Sequence, residues 1–305
     1  MRTFVFTCLL LLGMTTFAQD ANFHIYLCLG QSNMEGNAKV EEQDTVAVDS
    51  RFQVLAAVDC PNLGRTKGNW YKAVPPLARC YTGLTPGDYF GRAMVANLPS
   101  NVQVGIINVA VGGCKIELFD KDNYQSYVET SPDWLKNMVK EYGGNPYARL
   151  VEMAKLAQKD GVIKGILLHQ GESNTNDKDW PSKVKGVYDN LLKDLGLSAA
   201  DVPLLAGEVV HADQNGICAS MNTIIDSLPQ VIPTAHVISS AGCPAAFDNL
   251  HFTAEGYRML GARYAAKMLS ILGYGDWTSA QNMKLWYARP AQDWLEALPL
   301  GNSRL

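Results

Sequence analysis

His24-Ile25-Tyr26-Leu27-Cys28-Leu29 runs directly into Gly30-Gln31-Ser32-Asn33-Met34-Glu35-Gly36, and this junction decides the fold. The first six residues form an apolar run of strand length, and the next seven are small and polar between two glycines. A strand that ends in such a segment hands over to a tight turn and then to a helix. Four further apolar runs of similar length follow at 104–109, 162–168, 203–208 and 235–239. Between them lie helical patterns at about 89–97, 148–159, 180–195, 221–228 and 254–272. The last is the clearest: Thr253 suits an N-cap, and Tyr257, Leu260, Tyr264, Met268 and Ile271 recur at helical spacing. Strands alternating with helices predict an α/β domain with a central parallel sheet of about five strands, covered on both faces.

In such sheets ligands sit beyond the carboxyl ends of the strands. Three clusters fall there: Gly30-Gln31-Ser32-Asn33, Gly112-Gly113, and His169-Gln170-Gly171-Glu172-Ser173-Asn174. They are distant in sequence, and the topology brings them to one rim.

Ser32 is the candidate nucleophile, because a serine at a strand-to-helix turn exposes its hydroxyl beside the N–H groups that open the helix. The same position also suits a capping serine. A hydroxyl needs a neutral imidazole to take its proton, and the imidazole needs an acceptor to fix its tautomer. Asp248 and His251, three apart in Phe247-Asp248-Asn249-Leu250-His251, can supply both. Candidate oxyanion donors are the N–H groups of Ser32 and Gly113 and the side-chain amide of Gln170, with Asn174 as the alternative amide. Gln31, Glu172 and Asn174 are further candidates for the rim, Glu172 either as a buttress or as a surface ion pair. His24, His169, His211 and His236 have no metal-ligand spacing, so neither a metal nor another cofactor is expected.

Composition narrows the setting. The chain has 305 residues, 47% hydrophobic and 18% charged, enough for one large α/β domain with a full core. A formal net charge of −4 without a basic run argues against nucleic acid as a partner. Residues 1–18 read as a secretory signal: Arg2, an apolar stretch from Val5 to Leu12, then Thr16-Phe17-Ala18 with cleavage after Ala18. The apolar stretch is too short for a membrane span, and the mature protein is expected in the periplasm or outside the cell. Of seven cysteines, six would remain after cleavage. Proximity in sequence suggests Cys60 with Cys80 and Cys218 with Cys243, while Cys28 in its apolar run reads as a buried thiol.

Taken together, Gly-Gln-Ser-Asn-Met-Glu-Gly at 30–36, Val111-Gly112-Gly113, His169-Gln170-Gly171-Glu172-Ser173 and Asp248-x-x-His251 resemble the ordered blocks of the SGNH hydrolases. The resemblance is strongest to carbohydrate esterase family 6 and the sialate O-acetylesterase-like proteins, and it covers about residues 22–272. It implies a flavodoxin-like three-layer α/β/α sandwich, no metal, and removal of O-acetyl groups from polysaccharide, commonly xylan. The usual Gly-x-Asn-Asp block of the wider superfamily is replaced by His-Gln-Gly-Glu at 169–172. Beyond the esterase domain (19–275), Lys284-Leu285-Trp286-Tyr287-Ala288-Arg289-Pro290-Ala291 and 294–302 resemble the opening of glycoside hydrolase family 95. That likeness implies a covalently linked glycosidase domain, of which 276–305 would be linker and start. The segment 115–147 carries Phe119, Tyr124, Tyr127, Trp134, Tyr142 and Tyr147, which suit either sugar rings or core packing.

Overall fold

The computed structural model describes residues 19–275. The expected leader at 1–18 and the glycosidase-like segment at 276–305 lie outside the described residues.

The five expected strands are all present, as β1 (Asp20–Gly30), β4 (Gln103–Ala110), β5 (Gly161–His169), β6 (Leu204–Gly207) and β7 (Ala235–Ile238). Two more, β2 (Phe52–Leu55) and β3 (Trp70–Lys72), bring the sheet to seven strands in the order β3-β2-β4-β1-β5-β6-β7. The expectation of about five is therefore corrected upward. Neither extra strand exceeds four residues, too short for a periodic signal. β2 pairs parallel to β4, and β3 adds antiparallel at the edge. Without this pair, the strands stand in the order second, first, third, fourth, fifth, the flavodoxin-like arrangement, whose ligand crevice opens beside the first strand.

β1 is central and buried on both faces. Ile25, Leu27 and Leu29 point into one core cluster, with Leu150 and Met153 of the Pro146–Ala157 helix and Val184 and Leu191 of the Trp180–Leu195 helix. Tyr26 and Cys28 point into the other, with Phe90 and Met94 of the Pro86–Asn97 helix and Leu260 and Tyr264 of the Ala254–Ile271 helix. Each fully buried Leu or Phe contributes roughly 1.5–3 kcal/mol of transfer free energy, so the two clusters hold the three layers together.

Local chemistry sets the helix starts. Thr85 and Asp88 form a reciprocal capping box around Pro86 at the start of one helix. Asn145 accepts from the Ala148 N–H at 2.9 Å ahead of Pro146. Thr253 Oγ1 accepts from the Gly256 N–H at 3.1 Å, as its place in the sequence predicts. The helix expected at 221–228 is broken into a Asn222–Ile225 turn and a Leu228–Val231 turn; Pro229 fits only the first turn of a helix.

Cys60 and Cys80 form a disulfide, and Cys28 is a buried free thiol. The expected Cys218–Cys243 bond is absent, since both are free. Cys243 is buried in the core on one face of the sheet, while Cys218 packs against the core on the other. Among the described residues, no helix is long and apolar enough to cross a membrane.

Candidate active site

Three strand ends build the site. Gly30, last in β1, has φ +150°, and a side chain there would meet the His169 carbonyl oxygen at 2.0 Å. Glycine lets the end of β1 press against the end of β5, where the Gln31 N–H donates to His169 O at 3.0 Å. The chain then turns into the short helix Ser32–Glu35, with Ser32 at its first position. Asn108, buried in β4, donates to the Met34 carbonyl at 2.8 Å and pins that helix to the sheet.

Asp248 and His251 arrive from the loop before the Ala254–Ile271 helix. His251 Nε2 lies 2.9 Å from Ser32 Oγ, and His251 Nδ1 lies 2.7 Å from Asp248 Oδ2. Asp248 Oδ1 also accepts the N–H groups of Leu250 and His251, both at 3.0 Å. Burial raises the Asp248 pKa, but the His251 ring and these two N–H groups more than offset it, so the carboxyl sits below its ordinary value. Phe252, buried under the loop, packs edge-on against His169 and Tyr257, with ring centroids 5.7 Å away in both cases. Residues 219 positions apart are thereby brought into one hydrogen-bonded chain.

Asn33 ties this loop to the nucleophile's helix, a role its residue type alone did not suggest. Its Nδ2 donates to Glu172 Oε1 and, at 3.1 Å, to the Leu250 carbonyl; its Oδ1 accepts from Tyr257 OH at 2.6 Å. Glu172 is buried rather than placed at the surface, and its Oε1 lies 3.7 Å from His169 Nδ1. Burial also pulls the pKa of His169 down, against the opposing charge of Glu172. With its Nε2 3.0 Å from the Glu208 carbonyl, a neutral His169 donates there.

The second strand end is Val111-Gly112-Gly113. A methyl group on Gly112 would lie 3.7 Å from Ser32 Cβ, so the two turns touch. The Gly112 N–H donates to Glu35 Oε1 at 3.1 Å, and the Gly113 carbonyl accepts from Ser173 Oγ at 3.0 Å. Among the described residues, the N–H groups of Ser32 and Gly113 have no protein partner. These two can serve as oxyanion donors.

The amide expected from Gln170 cannot serve without breaking its present bonds. Gln170 Nε2 shares its two hydrogens among Asn174 Oδ1 at 2.7 Å, Gln31 Oε1 at 3.1 Å and Cys114 O at 3.2 Å, and its Oε1 accepts from the Trp180 indole. Asn174, the alternative amide, is likewise spent: its Nδ2 donates to Glu117 and Asp177, and its Oδ1 accepts the Ile116 N–H at 2.9 Å. Both are buried scaffold beneath the rim. Gln31 belongs to the same network, its Oε1 also taking the Ser173 N–H at 3.2 Å.

Three of the six aromatics of segment 115–147 went to the core: Phe119, Tyr142 and Tyr147 are buried. Trp134 is 53% exposed, and its indole lies against Gly113. A polar cleft of about 580 Å³ is lined by Glu35, Asn37, Lys39, Arg79 and the exposed Tyr81. Among the described residues, no three His, Cys, Asp or Glu side chains are grouped to hold a metal ion.

A seryl oxygen, an imidazole, an ionised carboxylate and two free N–H groups at adjoining turns can together carry out acyl transfer. The chain is similar to known carbohydrate esterases. A "probable carbohydrate esterase" of Arabidopsis thaliana is 26% identical over 262 residues, covering 81% of this chain and 90% of that protein. An Arabidopsis thaliana crystal structure superposes with a TM-score of 0.62 at 21% identity, over 81% of this chain and 98% of that one. A carbohydrate acetylesterase from Xanthomonas citri gives 0.57 at 18% identity, over 81% of this chain and 56% of that one. NanS gives 0.60 at 15% identity, over 84% and 99%. The profile of the family described as "Carbohydrate esterase, sialic acid-specific acetylesterase" matches residues 22–270, and the chain belongs to that family.

Proposed function

We propose that this carbohydrate esterase removes O-acetyl groups from polysaccharide outside the cytoplasm, with acetylated xylan as substrate and Ser32, His251 and Asp248 as its acyl-transfer machinery. The observation that carries the reading is the chain Ser32 Oγ–His251–Asp248, with links of 2.9 and 2.7 Å. His251 Nε2 takes the Ser32 proton as Oγ attacks the acetyl carbonyl, while Asp248 holds the other ring nitrogen's proton and faces the imidazolium that forms. The oxyanion is met by the N–H groups of Ser32 and Gly113. The sugar alcohol leaves with the proton from His251, and water frees acetate by the reverse sequence. The half-exposed Trp134 beside Gly113 supports a glycan as the alcohol, since an aromatic face suits a sugar ring.

A sialate O-acetyl ester is the second reading, favoured by the description of the family itself. Acetate release measured across acetylated xylan, pectin, xyloglucan and O-acetylated sialoglycans separates the two. Xylan should release acetate fastest, and a preference for the sialoglycan would replace the first reading with the second. Ser32→Ala should fold and lose acetate release, because no other group is placed to form the acyl-enzyme; near-normal turnover would remove the assignment of the nucleophile.

A further inference from the structure

Glu35 is a buried carboxylate for which the acyl-transfer steps have no direct use. It sits three residues after Ser32 on the same short helix, only 9% exposed. Taking a carboxylate out of water costs several kcal/mol unless it is well paired. Arg79 supplies the pairing, with Nη2 at 2.6 Å and Nε at 3.1 Å from Glu35 Oε1. A further Arg79 nitrogen donates to Glu141. Burial lowers the Arg79 pKa, but the Glu35 and Glu141 charges more than offset it and hold the guanidinium above its ordinary value.

The same Glu35 oxygen receives the Gly112 N–H at 3.1 Å. One residue on, the Gly113 carbonyl is held by Ser173 Oγ at 3.0 Å. Between these fixed points lies the Gly112–Gly113 peptide, whose N–H has no protein partner among the described residues. A peptide between two glycines meets little steric resistance to turning over. Turned over, it would present the Gly112 carbonyl to Ser32 in place of the Gly113 N–H, a repulsive group for a developing oxyanion. Position 112 is also closed to larger residues, because a methyl there would come within 2.9 Å of Glu35 Oε2.

We infer that Glu35, held by Arg79, is a positioning residue that clamps the Gly112–Gly113 peptide with its N–H turned toward the acyl oxygen on Ser32. Ser173 closes the clamp from the other side. The inference rests on the esterase reading and assigns Glu35 no contact with substrate.

The test is Glu35→Gln, which keeps the size but sets an amide against Arg79. Turnover is expressed per serine titrated with a phosphonate ester, so misfolded enzyme is not counted. Loss of one oxyanion donor costs about 100- to 1000-fold, and loosening its position roughly 10- to 100-fold. The expected result is therefore a kcat roughly 10- to 100-fold lower, with KM within about twofold. A small alkyl boronic acid, whose tetrahedral adduct on Ser32 places an oxygen where the oxyanion forms, should bind more weakly by a similar factor. A merely structural role would leave both quantities unchanged once the titrated serines are counted. Should Glu35→Gln not fold, Ser173→Ala carries the test, with kcat and boronate affinity again falling together. Unchanged kcat and boronate affinity in whichever variant folds overturn the inference alone. A wild-type protein that releases no acetate from any ester overturns the esterase reading, and the inference with it.

Discussion

Replacing Asp248 with asparagine separates the two roles its carboxylate plays. In the native loop, Oδ1 holds the N–H groups of Leu250 and His251 at 3.0 Å each, and Oδ2 faces His251 Nδ1 at 2.7 Å. An asparagine has one acceptor oxygen. If that oxygen keeps the two backbone N–H groups, the amide NH2 faces Nδ1, which must then accept. The ring proton moves to Nε2, 2.9 Å from Ser32 Oγ, and the base is lost. If the amide turns over, the ring is served but two backbone N–H groups lose their acceptor. At about 1 kcal/mol for each lost bond, the productive rotamer is disfavoured by about 2 kcal/mol, a factor near 30. The missing charge opposite the imidazolium removes more. Asp248 is 34% exposed at its side chain, so solvent screening holds that part to about tenfold.

Asp248→Asn should therefore lower kcat for acetate release about 300-fold while the loop stays folded, since the favoured rotamer keeps both backbone bonds. The assay is acetate release at pH 7.5–8, paired with thermal melts across pH. The native carboxyl is held below its ordinary pKa of 3.8. It therefore contributes stability that is present above 3.8 and is lost as pH falls through the lower folded value. The melting difference between wild type and variant should be full near neutrality and shrink in acid below that point. A variant keeping more than a tenth of wild-type kcat would refute the orienting role of Asp248.

Three other measurements probe different parts of the molecule. Burial pushes Asp88 up to about 8 against the pull of the Thr85 N–H, so the folded state holds its proton more tightly than the unfolded chain, and stability should fall as pH rises from about 4 to about 8. Asp88→Asn should flatten that slope and raise the melting temperature at pH 8, by roughly 2–4 °C per kcal/mol relieved; an unchanged slope would refute it. Trp134→Ala should reduce kcat/KM on acetylated oligosaccharide roughly tenfold more than on 4-nitrophenyl acetate if its exposed ring holds the sugar, consistent with about 1.5 kcal/mol for about 60 Å² of apolar surface covered; equal losses on both substrates would assign it to packing alone. Cys218 is half-buried and free, whereas Cys28, Cys114 and Cys243 are buried, so Cys218→Ser should remove most thiol labelling of the folded protein, and undiminished labelling would contradict the free state of Cys218.

The core of the fold was legible because its strands carry a strong apolar signal. Residues 24–29 and 165–168 are buried on both faces, and such a run reads as a covered parallel strand whatever surrounds it. Thr253 and the helix after it were equally plain, since a cap and an 18-residue periodic stretch agree. The β2–β3 pair was hidden for the opposite reason. Phe52-Gln53-Val54-Leu55 and Trp70-Tyr71-Lys72 owe their strand state to the neighbouring edge of β4 rather than to any pattern of their own. The Cys218–Cys243 guess failed in the same way, because proximity along the chain does not report which face of a sheet a loop packs against.

At the site, residue type indicated which chemistry was available but not which way each group faces. Ser32, His251 and Asp248 could be grouped because their sequence blocks stand in the order of the SGNH hydrolases, whereas by residue type alone Ser32 suits a helix cap equally well. Gln170 and Asn174 offered amides at the right strand end, and by type alone they matched an oxyanion donor as well as any residue could. Their orientation is fixed by Trp180, Ile116, Glu117 and Asp177, none of which a motif contains. These buried polar groups consume one another's hydrogen-bonding capacity, as burial demands. Among the described residues, the donors left unpaired beside the nucleophile are backbone, the N–H groups of Ser32 and Gly113, and backbone donors leave no mark in residue type beyond the glycine that lets the chain approach. Glu35 follows the same logic. Its carboxylate sits inside the nucleophile motif, yet its partners Arg79 and Gly112 come from 44 and 77 residues away, so its place in the site emerges only once the three strand ends are brought together.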